Sequence, residues 1–320
     1  MKVAQLVSPR KWEVIEREQP LVEKGDMLIR IERSAICGTD KSSFIGTASA
    51  YPLAPGVPGH EAIGTVEDCP SGSYQPGELV LIWGYGAGLF QELVVVPDEG
   101  HLRLPKEIDR EVVLMSQLLG TVVHCLYKLG NVIDKRVVIL GQGPVGQLFN
   151  AAFRNLGASQ IIGVDLLDYR LEVGRQMGAT HTVNPAASEV IDAVEQITHG
   201  SMADIVVEAV GTEETFNQTI SLVRRDGTIV FFGIPDKKNE AGLVQLGFRD
   251  IFGKEPRFVT SAGPDPQRDY AVALQWIAEG RIDVRPILTH VLPIDDIQAG
   301  FEMAFDKPQD EKSIKIVLRF

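Results

Sequence analysis

Cysteine is scarce in this chain of 320 residues, which has only Cys37, Cys69 and Cys125. An odd set of three is no disulfide framework and points to a reducing cytoplasm. No apolar run reaches the length a bilayer demands, and Met1-Lys2-Val3-Ala4 does not have the layout of a secretory leader, so neither a membrane span nor export is expected. Long lysine or arginine runs are missing and the formal net charge is −12, which argues against a nucleic-acid or anionic-membrane partner. Repeats and low-complexity tracts are absent. What remains, 44% hydrophobic and 23% charged residues, is the composition of an ordinary globular enzyme, long enough for two domains with a core each.

The two halves differ in texture. Over the first hundred residues, short β-like runs (Lys2–Val7, Met27–Ile36, Glu61–Glu67, Glu78–Trp83, Gln91–Val96) are separated by Gly and Pro, which predicts a small irregular barrel or sandwich. A helical stretch, Asp109–Leu129, then leads into strict alternation of strand and helix from Arg136 to Phe232, the pattern of a doubly wound parallel sheet. Beyond Gly263 come a helix at Gln267–Glu279, a strand near Ile287–Val291, a helix at Asp295–Phe305 and a strand at Ser313–Leu318. Lys237-Lys238-Asn239-Glu240 reads as a solvated loop.

The most informative stretch begins at Val137. Val137–Leu140 is a buried parallel strand, and Gly141, Gly143 and Gly146 give G-x-G-x-x-G spacing on the turn into a helix whose first residues are Pro144 and Val145. Glycine there permits a tight turn, close approach of backbone to a pyrophosphate, and packing of helix on strand. The helix N-terminus offers unpaired N–H groups and a positive dipole end to the anion. A second apolar run, Ile161–Val164, ends in Asp165, a carboxylate able to accept both ribose hydroxyls of an adenosine and to repel a 2′-phosphate. NAD is therefore favoured over NADP.

Upstream lie Ile36-Cys37-Gly38-Thr39-Asp40 and Pro58-Gly59-His60-Glu61. Alone, such a cysteine is most often a small core residue and such a histidine a satisfied polar group. Together, ahead of a dinucleotide fold, they resemble the zinc-dependent medium-chain alcohol and polyol dehydrogenases. Pro76-Gly77-Glu78-Leu79-Val80 resembles that family's P-G-D-R-V turn, and Ile287-Leu288-Thr289-His290-Val291-Leu292-Pro293 its P-L-I-T-H-x-x-P segment, so that the likeness runs along the whole chain in order.

The resemblance implies an α/β protein: a Rossmann doubly wound parallel sheet over 118–263 and a GroES-like β-barrel catalytic domain from 1–117 and 264–320. It implies Cys37, His60 and Glu61 as ligands of a catalytic zinc, Thr39 as the proton acceptor from the alcohol, and NAD as hydride acceptor in a cleft between domains. The family often carries an acid or cysteine at the position of Gln117; a neutral amide is a poor ligand, so Gln117 is either a contact to water or substrate or a plain helix-surface residue. Arg170 either closes over the adenosine ribose or is an ordinary surface arginine. Val210 and Gly211, and Phe232, Gly233 and Ile234, are implied to line the nicotinamide half. Asp40 is read as a brace for its loop, Cys69 and Cys125 as structural, and Trp83, Tyr85 and Phe90 as either a substrate wall or core.

Two departures stand out. Between Trp83 and Phe90 the chain lacks the four-cysteine lobe that binds a structural zinc in many relatives, and Ser42 stands where a proton-relaying histidine is common. The reading is a zinc-dependent, NAD-linked dehydrogenase of a secondary alcohol (a polyol, sugar or cyclitol derivative), a homodimer or homotetramer with a small-molecule substrate. Its rivals are a zinc-free quinone or enoyl reductase and a non-catalytic dinucleotide-binding protein.

Overall fold

The computed structural model describes residues 1–46, 50–84, 86, 88–235 and 243–320; Tyr85 and the loop Lys237–Glu240 lie outside the described residues. The chain forms two compact units, one of Met1–Gly120, Asp265–Ala278 and Leu288–Phe320, the other of Thr121–Pro264 and Glu279–Ile287. Assigning all of 264–320 to the first domain is thus corrected at Glu279–Ile287. Ile282 and Val284 are buried there, and Arg281 Nε donates to Asn155 Oδ1 of the second unit at 3.2 Å.

In chain order, the first unit contributes β1 (Lys2–Ser8), β2 (Lys11–Glu16), β3 (Asp26–Ala35), β4 (Glu61–Asp68), β5 (Leu79–Trp83), β6 (Leu93–Pro97) and β7 (Leu102–Arg103). The second contributes β8 (Arg136–Leu140), β9 (Gln160–Val164), β10 (His181–Val183), β11 (Ala203–Glu208), β12 (Val223–Phe231) and β13 (Arg257–Thr260). The chain then returns to the first unit with β14 (Leu288–Pro293) and β15 (Lys315–Arg319).

Strand β3 organises the first unit. Met27, Ile29 and Ile31 are buried while Arg30 between them is exposed, the period-two pattern of a sheet with one face on the core. It pairs antiparallel with β4, β6 and β15 in a seven-stranded sheet, the main path running β14-β15-β3-β4-β5-β7. Both β4 and β15 therefore start where β3 ends, and this brings residues around 36, 61 and 315 to one edge. A separate hairpin, β1-β2, carries Leu6 and Trp12 into a second core with Phe44, Phe90 and Phe301.

The second unit is a six-stranded parallel sheet of order β10-β9-β8-β11-β12-β13. The strand order reverses between β8 and β11, and the carboxyl ends of those strands form the crevice where such sheets take ligands. The apolar runs of β8, β9 and β11 are buried almost end to end, as parallel strands covered on both faces must be. The short helices Asp40–Ile45 and Phe248–Lys254, with β2 and β13, go beyond the elements read from sequence. Phe248–Lys254 buries no side chain and β13 buries only Val259, so neither carries an amphipathic pattern. Among the described residues no helix is long and apolar enough to cross a membrane.

Phe301 is the hub of the aromatic core. It is fully buried, with ring centroids 4.8 Å from Trp12, 5.2 Å from Phe44, 5.8 Å from Phe90 and 5.7 Å from Phe305. Phe301→Ala should destabilise the chain by about 3–5 kcal/mol through lost burial and an unfilled cavity. Denaturant unfolding measures this, and a loss under about 1 kcal/mol would remove Phe301 from its central place.

Candidate active site

The edge where β3 ends and β4 and β15 begin gathers the sulfur, imidazole and carboxylate read from sequence. Donor atoms of Cys37, His60 and Glu61 all lie within 4.8 Å of one another, and no other such group of three occurs among the described residues. Cys37 lies two residues past the end of β3, after Ile36, whose N–H donates to Ile316 O at 3.0 Å. Glu61 is the first residue of β4, and Ser34 Oγ donates to its carbonyl at 3.0 Å.

Asp40 does more than brace its loop. One carboxylate oxygen accepts Cys37 N–H at 2.9 Å, while the other lies 3.3 Å from His60 Nδ1. The same Nδ1 lies 3.0 Å from Pro58 O, so the backbone and Asp40 claim this nitrogen and leave Nε2 toward the cluster, with Thr39 Oγ1 at 3.4 Å. This is the outer-shell arrangement that fixes tautomer and ring orientation in a metal-binding histidine. Burial opposes charge on His60, but Asp40 and Cys37 outweigh it and push the imidazole up to about 12. Burial likewise pushes the Asp40 carboxyl above its ordinary value, despite the ring beside it.

Lys315, near the end of the chain, was missed by sequence reasoning. Lys315 and Glu61 are each 1% exposed, with Lys315 Nζ 2.8 Å from Glu61 Oε2 and 3.0 Å from Ile36 O. Burial would discharge the amine, but Glu61 and Cys37 outweigh it and hold the pKa above its ordinary value. A lysine inside the apolar run Ile314–Leu318 was the available signal, since a charge inside a buried strand demands a partner. The lysine occupies one carboxylate oxygen of Glu61 and leaves Oε1 buried without a hydrogen-bond partner. That orphaned oxygen is what a cation at the cluster would satisfy.

Gln117 is buried rather than on a helix surface. Its Nε2 donates to Tyr270 Oη at 3.5 Å and its Oε1 has no partner among the described residues. Phe90 is core, against Trp12 and Phe301, and not a substrate wall. Cys69 and Cys125 stand apart from the cluster, and burial pushes the Cys125 thiol up to about 12, inert as a nucleophile.

In the second unit, the turn after β8 folds against the helix Pro144–Asn155 so closely that a Cβ on Gly146 would sit 1.9 Å from Gly141 O. Only glycine fits there. A Cβ on Gly143, in contrast, would meet nothing within 4 Å, and this residue caps the helix without a side-chain hydrogen bond. Pro144 takes the first helical position, where no N–H is needed, and the Val145 and Gly146 amides follow at the uncapped end. The turn leaves the N-terminal end of the helix open, and that end is electropositive.

Asp165 follows β9 beside that turn. It accepts Gln142 N–H on Oδ2 and Leu167 N–H on Oδ1, at 2.8 and 2.9 Å. Arg170 is no ordinary surface residue: its guanidinium lies 3.8 Å from Asp165 and 5.8 Å from the Tyr169 ring centroid. At the ends of β11 and β12, Val210 and Ile234 expose apolar side chains, whereas Phe232 packs edge-on against Phe149.

Comparison with known proteins agrees with this geometry. An alcohol dehydrogenase GroES-like domain model matches residues 23–106, and a zinc-binding dehydrogenase model matches residues 144–279. An L-threonine 3-dehydrogenase of Caldanaerobacter subterraneus is 26% identical, covering 91% of each chain. An alcohol dehydrogenase of Cupriavidus necator is 27% identical over 95% of this chain and 94% of its own length. A solved Escherichia coli oxidoreductase/dehydrogenase of unknown specificity superposes with a TM-score of 0.87 at 26% identity, covering 100% of this chain and 99% of that one. With both models matched in order over more than two thirds of its length, and with a Rossmann-type parallel sheet in the second unit, the chain belongs to the zinc-dependent medium-chain alcohol dehydrogenase family.

Proposed function

We propose that this protein oxidises a secondary alcohol with NAD, using Cys37, His60 and Glu61 as the ligands of a catalytic zinc. The observation that carries the reading is the cluster itself: three donors of the right chemistry within 4.8 Å of one another, with Glu61 Oε1 buried, without a hydrogen-bond partner and 4.0 Å from His60 Nε2. One thiolate, one imidazole and one carboxylate leave a fourth position open, which is the composition of a catalytic rather than a structural site. Zinc held there supplies the Lewis acidity that makes an alcohol hydroxyl acidic near neutral pH, and NAD supplies the hydride acceptor.

The chain's own residues do the rest. Asp40 and the Pro58 carbonyl keep His60 Nε2 turned to the cluster. Thr39, with its hydroxyl 3.4 Å from that nitrogen, is placed to accept the proton of the alcohol. Lys315 neutralises part of the charge of two anionic donors and limits Glu61 to one free oxygen. On the cofactor side, Gly141, Gly143, Pro144, Val145 and Gly146 cradle the pyrophosphate, and Asp165 takes the adenosine ribose. Arg170 is already engaged with Asp165 and Tyr169, so the carboxylate governs the choice of cofactor and disfavours a 2′-phosphate. Val210, Gly211, Phe232, Gly233 and Ile234 line the nicotinamide half.

The substrate class we infer is a polyol, sugar or cyclitol derivative; relatives named L-threonine 3-dehydrogenase put another secondary alcohol on the same panel. A dimer built on the edge strand β13, beside the exposed Phe248, Phe252 and Phe258, is the assembly we propose. The three free cysteines suit a reducing cytoplasm.

Purified protein is expected to hold about one catalytic zinc per chain and to form NADH from members of that panel. Cys37→Ser should lose both metal and turnover. Full activity in that variant, or metal-free wild-type protein that turns over normally, would favour the zinc-free reductase reading.

A second expectation concerns protons. Because His60 is held protonated far above neutrality, its proton must leave before Nε2 can ligate zinc. Metal uptake should therefore release at least one proton per zinc and tighten about tenfold for each pH unit gained below the imidazole's pKa. Calorimetric titration in buffers of different ionisation enthalpy reads this directly, and a heat independent of buffer would take His60 out of the ligand set.

A further inference from the structure

Glu208 ends β11 at the edge where the parallel sheet takes its ligand, and the family reading gives it no task. It is fully buried. Its Oε1 accepts three hydrogen bonds, from Val210 N–H, Gly211 N–H and Thr215 Oγ1, each 2.8 Å long. Its main-chain oxygen accepts two more, from Phe232 N–H at 3.0 Å and Gly233 N–H at 2.9 Å. One residue thus ties the loop after β11 to the loop after β12. The two loops are in backbone contact: a Cβ on Gly233 would lie 2.3 Å from Glu208 Oε2 and 2.5 Å from Gly211 N.

These loops flank an unusual surface. Val210 is 49% exposed and Ile234 66% exposed, two apolar side chains standing at the carboxyl ends of adjacent strands. With the phosphate cradle over β8 and the ribose carboxylate after β9, a dinucleotide laid across the switch point carries its other base over β11 and β12. A flat, uncharged ring is the chemistry that two exposed aliphatic side chains and a glycine backbone would receive.

We propose that Glu208 is a positioning residue for the nicotinamide ring: by gathering Val210 N–H, Gly211 N–H and the Thr215 hydroxyl on one oxygen, it sets the shape of the two loops that receive the ring. The proposal rests on the dinucleotide reading above. Glu208 does not touch the reacting atoms; it acts through the backbone of residues 210–211 and 232–233. The carboxylate end also anchors Thr215, in the first turn of the helix Glu213–Leu222, so the loop position is referred to a rigid element.

Glu208→Asp keeps the carboxyl group but withdraws it by one methylene, out of reach of the three donors. Glu208→Gln keeps the accepting oxygen. Binding of NADH and of ADP-ribose, which lacks the nicotinamide, is measured by calorimetry on zinc-loaded protein. E208D should bind NADH about tenfold or more weakly, as expected for loss of buried hydrogen bonds, while ADP-ribose stays within about twofold. E208Q should recover most of the loss. Unchanged NADH affinity in E208D would overturn the proposal. So would equal weakening of NADH and ADP-ribose, the mark of a merely structural residue. Failure of the unmodified protein to bind ADP-ribose would be a distinct result, because it overturns the dinucleotide reading beneath the proposal.

Discussion

The first unit is arranged around one buried charge. Glu61 places a carboxylate where water has almost no access, and an isolated carboxylate there would be protonated or would unfold its surroundings. Lys315 removes that penalty at 2.8 Å, and is itself secured by the carbonyl of Ile36. The pair joins the beginnings of β4 and β15 at the end of β3, so the sheet register and the ion pair specify one another. A one-residue slip of either strand would turn its partner to the opposite face. Cys37 and His60 take their places next to this pair because the same three strand ends carry them.

The second unit solves the opposite problem. Its glycine turn withholds side chains, which leaves backbone N–H groups and a helix end open. Gly146 clears the turn from within and Gly143 opens it to the outside. The polar groups around the turn are tied down: Gln147 Nε2 bridges the carbonyls of Gln142 and Arg170 at 3.0 and 2.8 Å, and Asn150 donates to Gln142 Oε1 at 2.6 Å. These three amides are fully buried and link the glycine turn to the helix bearing Arg170. The result is a cradle whose parts are fixed before a ligand arrives, which lowers the ordering cost of binding.

Sequence patterns exposed some of this and hid the rest for physical reasons. The glycine turn was legible because its requirement is local: spacing, strand and following acid all fall within thirty residues. Cys37, His60 and Glu61 became legible only in combination, since each alone has a commoner explanation in a core. Lys315 is 254 residues from Glu61, and nothing in its neighbourhood announces the pairing except a charge where alternation predicts none. Glu208 closes a strand buried along its whole length, and a glutamate at such an end reads as a boundary rather than as a hub. Asp40 was legible as a loop brace but not as a neighbour of His60, because that relation depends on how β3 and β4 meet. The Phe248–Lys254 helix was invisible because it buries no side chain and so carries no periodic face.

The charges at the cluster bear on the metal site proposed above. One thiolate and one carboxylate would together cancel a divalent cation and weaken its pull on an alcohol oxygen. The ammonium of Lys315, held charged by Glu61 and Cys37, would restore a net positive field there without taking a ligand position. The ring of His60, whose pKa is pushed up beside Asp40, is a second source of positive charge next to the cluster. A divalent cation held by Cys37, His60 and Glu61 would displace at least the His60 proton, so the net charge of the cluster would rise by less than two units. That modest change is compatible with groups as deeply buried as His60, Asp40 and Glu61, and it allows the site to be assembled by the fold rather than by the ion.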